Sequence, residues 1–85
     1  MVNITKVEPV KPSFLKLTFS TGETKYFDVS PYWDSNFFSE LHDWEYFKSV
    51  SVEGRTVVWP HEQDIAPDTL YLESVKELPV GVDER

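Results

Sequence analysis

The chain has 85 residues, of which 40% are apolar, with six Phe, four Tyr and three Trp, and its formal net charge is −7. This length suits one small domain, and the aromatic side chains, which each bury on the order of 150–250 Å², are numerous enough to build a core. No apolar run approaches the roughly 20 residues of a membrane span, and the absence of cysteine excludes a disulfide framework. The acidic net charge argues against direct nucleic-acid binding by this chain alone.

The first third of the chain alternates apolar and polar residues, as β-strands do. Apolar residues between positions 4 and 10 predict a short first strand. Residues 14–19 and 24–29 alternate with period two on either side of a turn at 20–23, where Gly22 is free to take positive φ. This second segment is predicted to be a β-hairpin.

The middle of the chain changes to helical spacing. Residues 34–48 carry apolar side chains at intervals of three and four. Two short helices broken near His42-Asp43 are predicted, with Asp34 or Ser35 as the cap of the first and Asp43 as the cap of the second.

The remaining elements are a second hairpin and a last helix. The hairpin is predicted over residues 50–59, with its turn at 53–55. The helix is predicted from Pro67 to Leu78, because proline suits a first helical turn and Pro79 would stop it.

These elements predict an α+β fold, an antiparallel sheet built from two β-hairpins with short packing helices. Residues 1–78 are assigned to a single α+β domain and residues 79–85 to a loose C-terminal tail. The N-terminus lacks the basic-then-apolar pattern of a signal peptide, so a cytoplasmic location is expected.

Several runs of residues resemble a known family. They are Leu17-Thr18-Phe19-Ser20-Thr21-Gly22-Glu23, Phe27-Asp28-Val29-Ser30-Pro31, Leu41, Phe47, Val57-Val58-Trp59-Pro60 and Asp64-Ile65-Ala66-Pro67-Asp68-Thr69-Leu70-Tyr71. Together they resemble the bacterial domain of unknown function family 2442, over roughly residues 3–75.

The resemblance implies a small α+β domain that occurs alone or fused to a helix-turn-helix domain. It also implies a gene beside that of another small domain, an arrangement suggestive of toxin–antitoxin pairs. The family has no established catalytic residues, so none is carried over. The chain departs from the usual pattern at Thr21, where aspartate is common, and at His61-Glu62, where asparagine-glycine is common.

No catalytic, cofactor or metal site is predicted. His61-Glu62 lacks the second histidine of the helical zinc motif, since Ile65 stands four residues after His61. His61 and the carboxylates of Glu62, Asp64 and Asp68 could surround a hard cation, but a solvated acidic loop is the simpler interpretation. Asp64 is expected to hydrogen-bond backbone donors near the start of the last helix.

The candidate interface residues are aromatic and acidic. Twelve of the fifteen acidic residues follow residue 30, whereas the residues before it are slightly basic. Trp59 is expected in the core. Tyr32 and Trp33 beside a proline turn could anchor an interface, although packing in the core or as a lid is the favoured interpretation. With Glu62, Asp64 and Asp68 they complete the candidate set.

The predicted function is a non-enzymatic protein-interaction module, an antitoxin-like or regulatory partner of a small neighbouring protein. Solubility is the simpler explanation of the acidic balance, and the alternative is that one face attracts a basic protein partner. No membrane is involved. The alternative is a small-ligand sensor with an aromatic pocket lined by Trp33, Trp59 and Tyr71. A third hypothesis is an enzyme that uses the carboxylates of residues 61–68.

Overall fold

The N-terminal part of the chain forms a three-stranded antiparallel sheet. The structure, a computed structural model, describes residues 2–82. The first sheet contains β1 (Ile4–Val10), β2 (Phe14–Phe19) and β3 (Thr24–Asp28) in that order, so β2 is central. The predicted first strand and first hairpin are confirmed, with Gly22 at a φ of 92° in the turn.

Two short helices follow this sheet. A 3₁₀ helix spans Ser39–His42 and α1 spans Trp44–Phe47. Asp43 separates them, because its backbone is extended and its carboxylate accepts a hydrogen bond from the N–H of Glu45 (3.1 Å). The predicted break and the predicted second cap are therefore confirmed.

The first of these helices begins later than predicted. Residues 34–38 form turns, and Phe38 occupies the N-cap without a side-chain cap hydrogen bond. The expectation that Asp34 or Ser35 caps this helix is wrong, since the Ser35 hydroxyl donates to a carbonyl of the preceding turn (3.1 Å). Phe37, part of the apolar spacing, is 55% exposed.

A second antiparallel sheet contains β4 (Ser51–Glu53), β5 (Thr56–Val58) and β6 (Asp64–Ile65) in that order. The predicted second hairpin is confirmed, but the sequence did not indicate β6. The chain reaches β6 through a tight turn closed by a hydrogen bond from the N–H of Trp59 to the carbonyl of Gln63 (2.9 Å). The predicted α+β class is confirmed, and each hairpin belongs to its own three-stranded sheet.

The last helix, α2, spans Pro67–Glu73 and begins at the predicted proline. It ends five residues before the predicted Leu78. The chain leaves the helix at Ser74 with an extended backbone, and Val75 then exchanges two backbone hydrogen bonds with Tyr26 of β3 (2.7 and 2.8 Å). In this segment, backbone pairing with the edge strand β3 thus takes the place of a continued helix.

One hydrophobic core underlies both sheets. The N–H of Ile4 donates to the carbonyl of Arg55 (3.0 Å), which joins β1 to the turn between β4 and β5. Trp59 is 1% exposed, which confirms its predicted place in the core. The buried core residues are Ile4, Leu15, Leu17, Phe19, Phe27, Val29, Leu41, Phe47, Val57, Trp59, Ile65 and Leu70.

The assignment of residues 1–78 to one domain and of 79–85 to a loose tail stays a prediction. Positions 83–85 of that tail lie outside the described residues. Among the helices of residues 2–82, none has the length and apolar character that crossing a bilayer requires.

Candidate functional site

A cavity of about 360 Å³ lies on the outer face of the second sheet. The strand register places Ser51 opposite Val58 and Val58 opposite Asp64, so these side chains form a row across one face. The other face carries Val57 and Ile65, which are buried in the core. The remaining residues that line the cavity are Ser49, Glu53, Trp59, Pro60 and Glu62.

The cavity is acidic. Three carboxylates line it, those of Glu53, Glu62 and Asp64, and none of the described residues that line it is basic. Within residues 2–82 these carboxylates take part in no ion pair or side-chain hydrogen bond. Like charges around a concave surface raise the local concentration of cations. The arrangement can therefore hold a cationic group.

Glu62 reaches the cavity from a left-handed backbone conformation. Its φ is 73°, and among residues 2–82 it is the only residue other than glycine with a positive φ. Its N–H donates to the carbonyl of Trp59 (2.9 Å), which closes the turn. This conformation costs a residue with a Cβ about 1 kcal/mol or more. Glycine, which the resemblance implies at this position, would adopt the same conformation without this cost.

Hydrogen bonds join the loop of residues 59–63 to the helical segment before it. The indole N–H of Trp59 donates to the carbonyl of Phe47 (2.8 Å). The His61 ring lies 5.1 Å from the Tyr46 ring, and its Nδ1 lies 2.8 and 3.0 Å from the carboxylate oxygens of Glu40. The N–H of His61 donates to the Tyr46 hydroxyl oxygen (2.9 Å).

Gln63 is the buried centre of these contacts and is 1% exposed. Its Oε1 accepts from the Tyr46 hydroxyl (2.6 Å), and its Nε2 donates to the carbonyl of Phe37 (3.1 Å) and to Glu40 (2.9 Å). The hydrogen bond from Gln63, followed by that with His61, holds the pKa of Glu40 below its ordinary value. A polar group this deeply buried is tolerated because its hydrogen bonds are made within the protein.

The predicted aromatic anchors lie outside the lining of this cavity. The Tyr32 ring stacks on Phe27 at 5.8 Å, and its hydroxyl donates to Glu73, which raises the pKa of Tyr32. Trp33 stacks on His42 at 4.4 Å. Both Tyr32 and Trp33 are partly buried, so each retains some accessible surface for a partner. Their interface role stays a prediction.

The three predicted acidic residues separate into two places. Glu62 and Asp64 line the cavity, whereas Asp68 lies exposed in the first turn of α2. The expectation that Asp64 hydrogen-bonds backbone donors near the start of this helix is wrong, because the N-cap is Ala66 and no side chain caps the helix. Asp64 belongs to β6, whose pairing with β5 aims its side chain at the outer face.

The three rings of the predicted aromatic pocket have different neighbours. Trp59 lines the cavity and Trp33 stacks on His42. Tyr71 packs edge-on against Phe19 at 5.1 Å, and its hydroxyl donates to Glu23 (2.7 Å). This last hydrogen bond raises the pKa of Tyr71 and lowers that of Glu23. Trp33 and Tyr71 do not line the cavity.

Sequence reasoning missed several residues of the site. Ser49, Ser51 and Glu53 alternate with the valines of a predicted strand, and this alternation could have assigned them to its outer face. Glu40 and Gln63 gave no such signal, since they meet across 23 residues of sequence. Within residues 2–82, no group of three or more His, Asp or Glu side chains could hold a metal ion.

The fold and the cavity define a small α+β domain of two three-stranded antiparallel sheets, with an acidic concavity on the second sheet. Residues 4–76 match the family described as protein of unknown function (DUF2442), and the chain belongs to this family. The resemblance in the sequence is thereby confirmed. Comparison with curated proteins and with solved structures gave no match.

Proposed function

We propose that the protein is a non-enzymatic interaction module that docks a basic segment of a protein partner in the acidic cavity. The observation that carries this proposal is the convergence of Glu53, Glu62 and Asp64 around one concave face, whose lining within residues 2–82 contains no basic residue. A lysine or arginine side chain of an extended segment would be paired there with carboxylates whose side chains have no ion-pair or hydrogen-bond partner in the described part of the chain.

The geometry of the second sheet supports an extended partner. The strand β4 (Ser51–Glu53) is an edge strand, and its Ser51 and Glu53 side chains line the cavity. An extended segment lying along this edge would place alternate side chains over the cavity. The apolar surface of Val58 and Pro60 would contact the aliphatic part of a long basic side chain.

The wider charge distribution supports electrostatic steering of such a partner. The net charge is −7, and twelve of the fifteen acidic residues follow residue 30. Tyr32 and Trp33 are our candidates for a second contact that adds affinity. Family context suggests that the partner is a small neighbouring protein, with this chain as its antitoxin-like or regulatory counterpart in the cytoplasm.

The test uses a lysine-rich peptide and a peptide of the same length with glutamine at the lysine positions. Titration followed by backbone NMR should shift residues of the cavity with the first peptide only. The double variant Glu53→Gln/Asp64→Asn should weaken binding at least tenfold. The matched control Asp68→Asn/Glu77→Gln removes the same charge outside the cavity and should retain most of the affinity.

Salt provides the second arm of this test. The association rate of the lysine-rich peptide should fall steeply between low and high salt, because exposed charges are screened within about 10 Å at 0.1 M. Equal weakening by both double variants would show that general charge, not the cavity, binds the peptide. Absence of lysine-dependent binding would refute the proposal.

The alternative function, a small-ligand sensor, finds support in the cavity volume alone. About 360 Å³ lies within the roughly 300–1,000 Å³ of ligand pockets. Such a ligand would be a small cation, because the lining is acidic. Competition between a short diamine and the lysine-rich peptide distinguishes the two functions, since a sensor would bind the diamine more tightly than the peptide.

A further inference from the structure

The loop that carries Glu62 is anchored by Gln63, a buried residue that does not line the cavity. Gln63 is 1% exposed, and its side chain faces the helical segment on the other side of the loop. The backbone of Gln63 closes the turn through its carbonyl, while its amide bonds Tyr46, Phe37 and Glu40. One residue therefore connects the turn to three positions of the preceding segment.

The geometry points to Gln63 as the positioning residue of the acidic cavity. By its amide contacts with Glu40 and Tyr46 it fixes the 59–63 loop so that Glu62 faces the basic segment of the partner. This inference rests on the proposed function, whose docking surface the loop borders.

The reason is that the loop has an unfavourable backbone conformation that requires support. Glu62 at a φ of 73° would relax to a commoner conformation if the turn were free. Relaxation is opposed because withdrawing Gln63 leaves the Tyr46 hydroxyl and the amide itself without their buried partners. The His61 contacts with Glu40 and Tyr46 act in the same direction but are largely exposed, so water can replace them.

The relation between Glu40 and Gln63 can be tested by exchanging their side chains. Gln63→Glu places a carboxylate within hydrogen-bond distance of the Glu40 carboxylate, so the two repel each other and both donors of the amide are lost. In the double variant Gln63→Glu/Glu40→Gln, the amide at position 40 can donate to the carboxylate at position 63, so the hydrogen bond is restored in the opposite direction. The contact with the carbonyl of Phe37 is not restored, so partial rescue is expected.

Amide hydrogen exchange reports the position of the loop without any partner. In Gln63→Glu the N–H groups of Trp59, His61 and Glu62 should exchange at least tenfold faster. Those of Tyr26 and Val29, which are hydrogen-bonded in and beside the first sheet, should be unchanged. The double variant should recover at least half of the lost protection. Gln63→Met, which removes the hydrogen bonds without adding charge, should also release the loop.

The outcomes separate this inference from the proposed function. Unchanged loop exchange in both Gln63 variants, or equal acceleration at Tyr26 and Val29, would overturn the positioning role. Failure of wild-type protein to bind the lysine-rich peptide would refute the proposed function and say nothing about the exchange data. Where the wild type binds, a released loop should weaken peptide binding at least fivefold, and unchanged affinity would overturn the inference.

Discussion

Trp59 connects the second sheet to α1, and its removal should cost a large part of the stability of the domain. The side chain is 1% exposed, its ring lies 5.8 Å from that of Phe47, and its indole N–H donates to the Phe47 carbonyl. Truncation of a buried tryptophan to alanine costs about 3–5 kcal/mol, and loss of the indole hydrogen bond adds about 1 kcal/mol. Domains of this kind are stable by roughly 5–15 kcal/mol. Trp59→Ala should therefore lose about 4–6 kcal/mol, which is a large part of this free energy of unfolding.

Two control variants make this prediction measurable. Trp59→Phe retains much of the buried aromatic surface but loses the N–H donor, and we expect it to lose about 1–3 kcal/mol. Trp33→Ala removes a ring that is only partly buried against the exposed His42, so its loss should be smaller than that of Trp59→Ala. Urea unfolding followed by far-ultraviolet circular dichroism measures all three. A loss below about 1 kcal/mol in Trp59→Ala would refute the packing argument.

Three further predictions concern the loop and its charges. Glu62→Gly should stabilise the protein by up to about 1 kcal/mol in urea unfolding, since glycine accepts positive φ, whereas Glu62→Gln should leave stability unchanged. Because the pKa of Glu40 is lowered in the folded protein, its ionised carboxylate should contribute its full stabilisation at pH values above the pKa of unfolded glutamate. This contribution should be lost as the pH falls through the pKa of Glu40 in the folded protein. NMR titration of Glu40 and thermal melts of Glu40→Gln at several pH values test this. Calorimetry with calcium, magnesium and zinc should show nothing tighter than millimolar, and micromolar binding lost in Asp64→Asn would contradict this.

Elements formed by local patterns were predictable from the sequence. The hairpin of β2 and β3 and that of β4 and β5 each combine alternation with an adjacent turn containing glycine. The break between the two short helices follows from Asp43, whose side chain caps the next helix within two residues. In each case the residues that decide the structure are neighbours in the sequence.

Elements that depend on distant pairing were not predictable in the same way. The segment after Glu73 has apolar spacing compatible with a longer helix, but Val75 pairs with Tyr26, which is 49 residues away. The strand β6 has two residues and forms only because its backbone pairs with β5. Propensity cannot reveal either feature, since both depend on where the first elements lie in space.

The candidate site shows the same limit for side chains. In the sequence Gln63 stands between an acidic residue and a proline-containing turn, a context typical of a solvated loop. In the structure it is buried, because the Tyr46 hydroxyl donates to its side-chain oxygen and the Glu40 carboxylate accepts from its side-chain nitrogen. A glutamine in such a position specifies one arrangement of its neighbours more strictly than an apolar residue does, since any displacement leaves buried polar atoms unsatisfied. The exposed residues Glu62 and Asp64 could be selected as candidates from their charge alone. The role of Gln63 in fixing the loop could be recognised only from the structure.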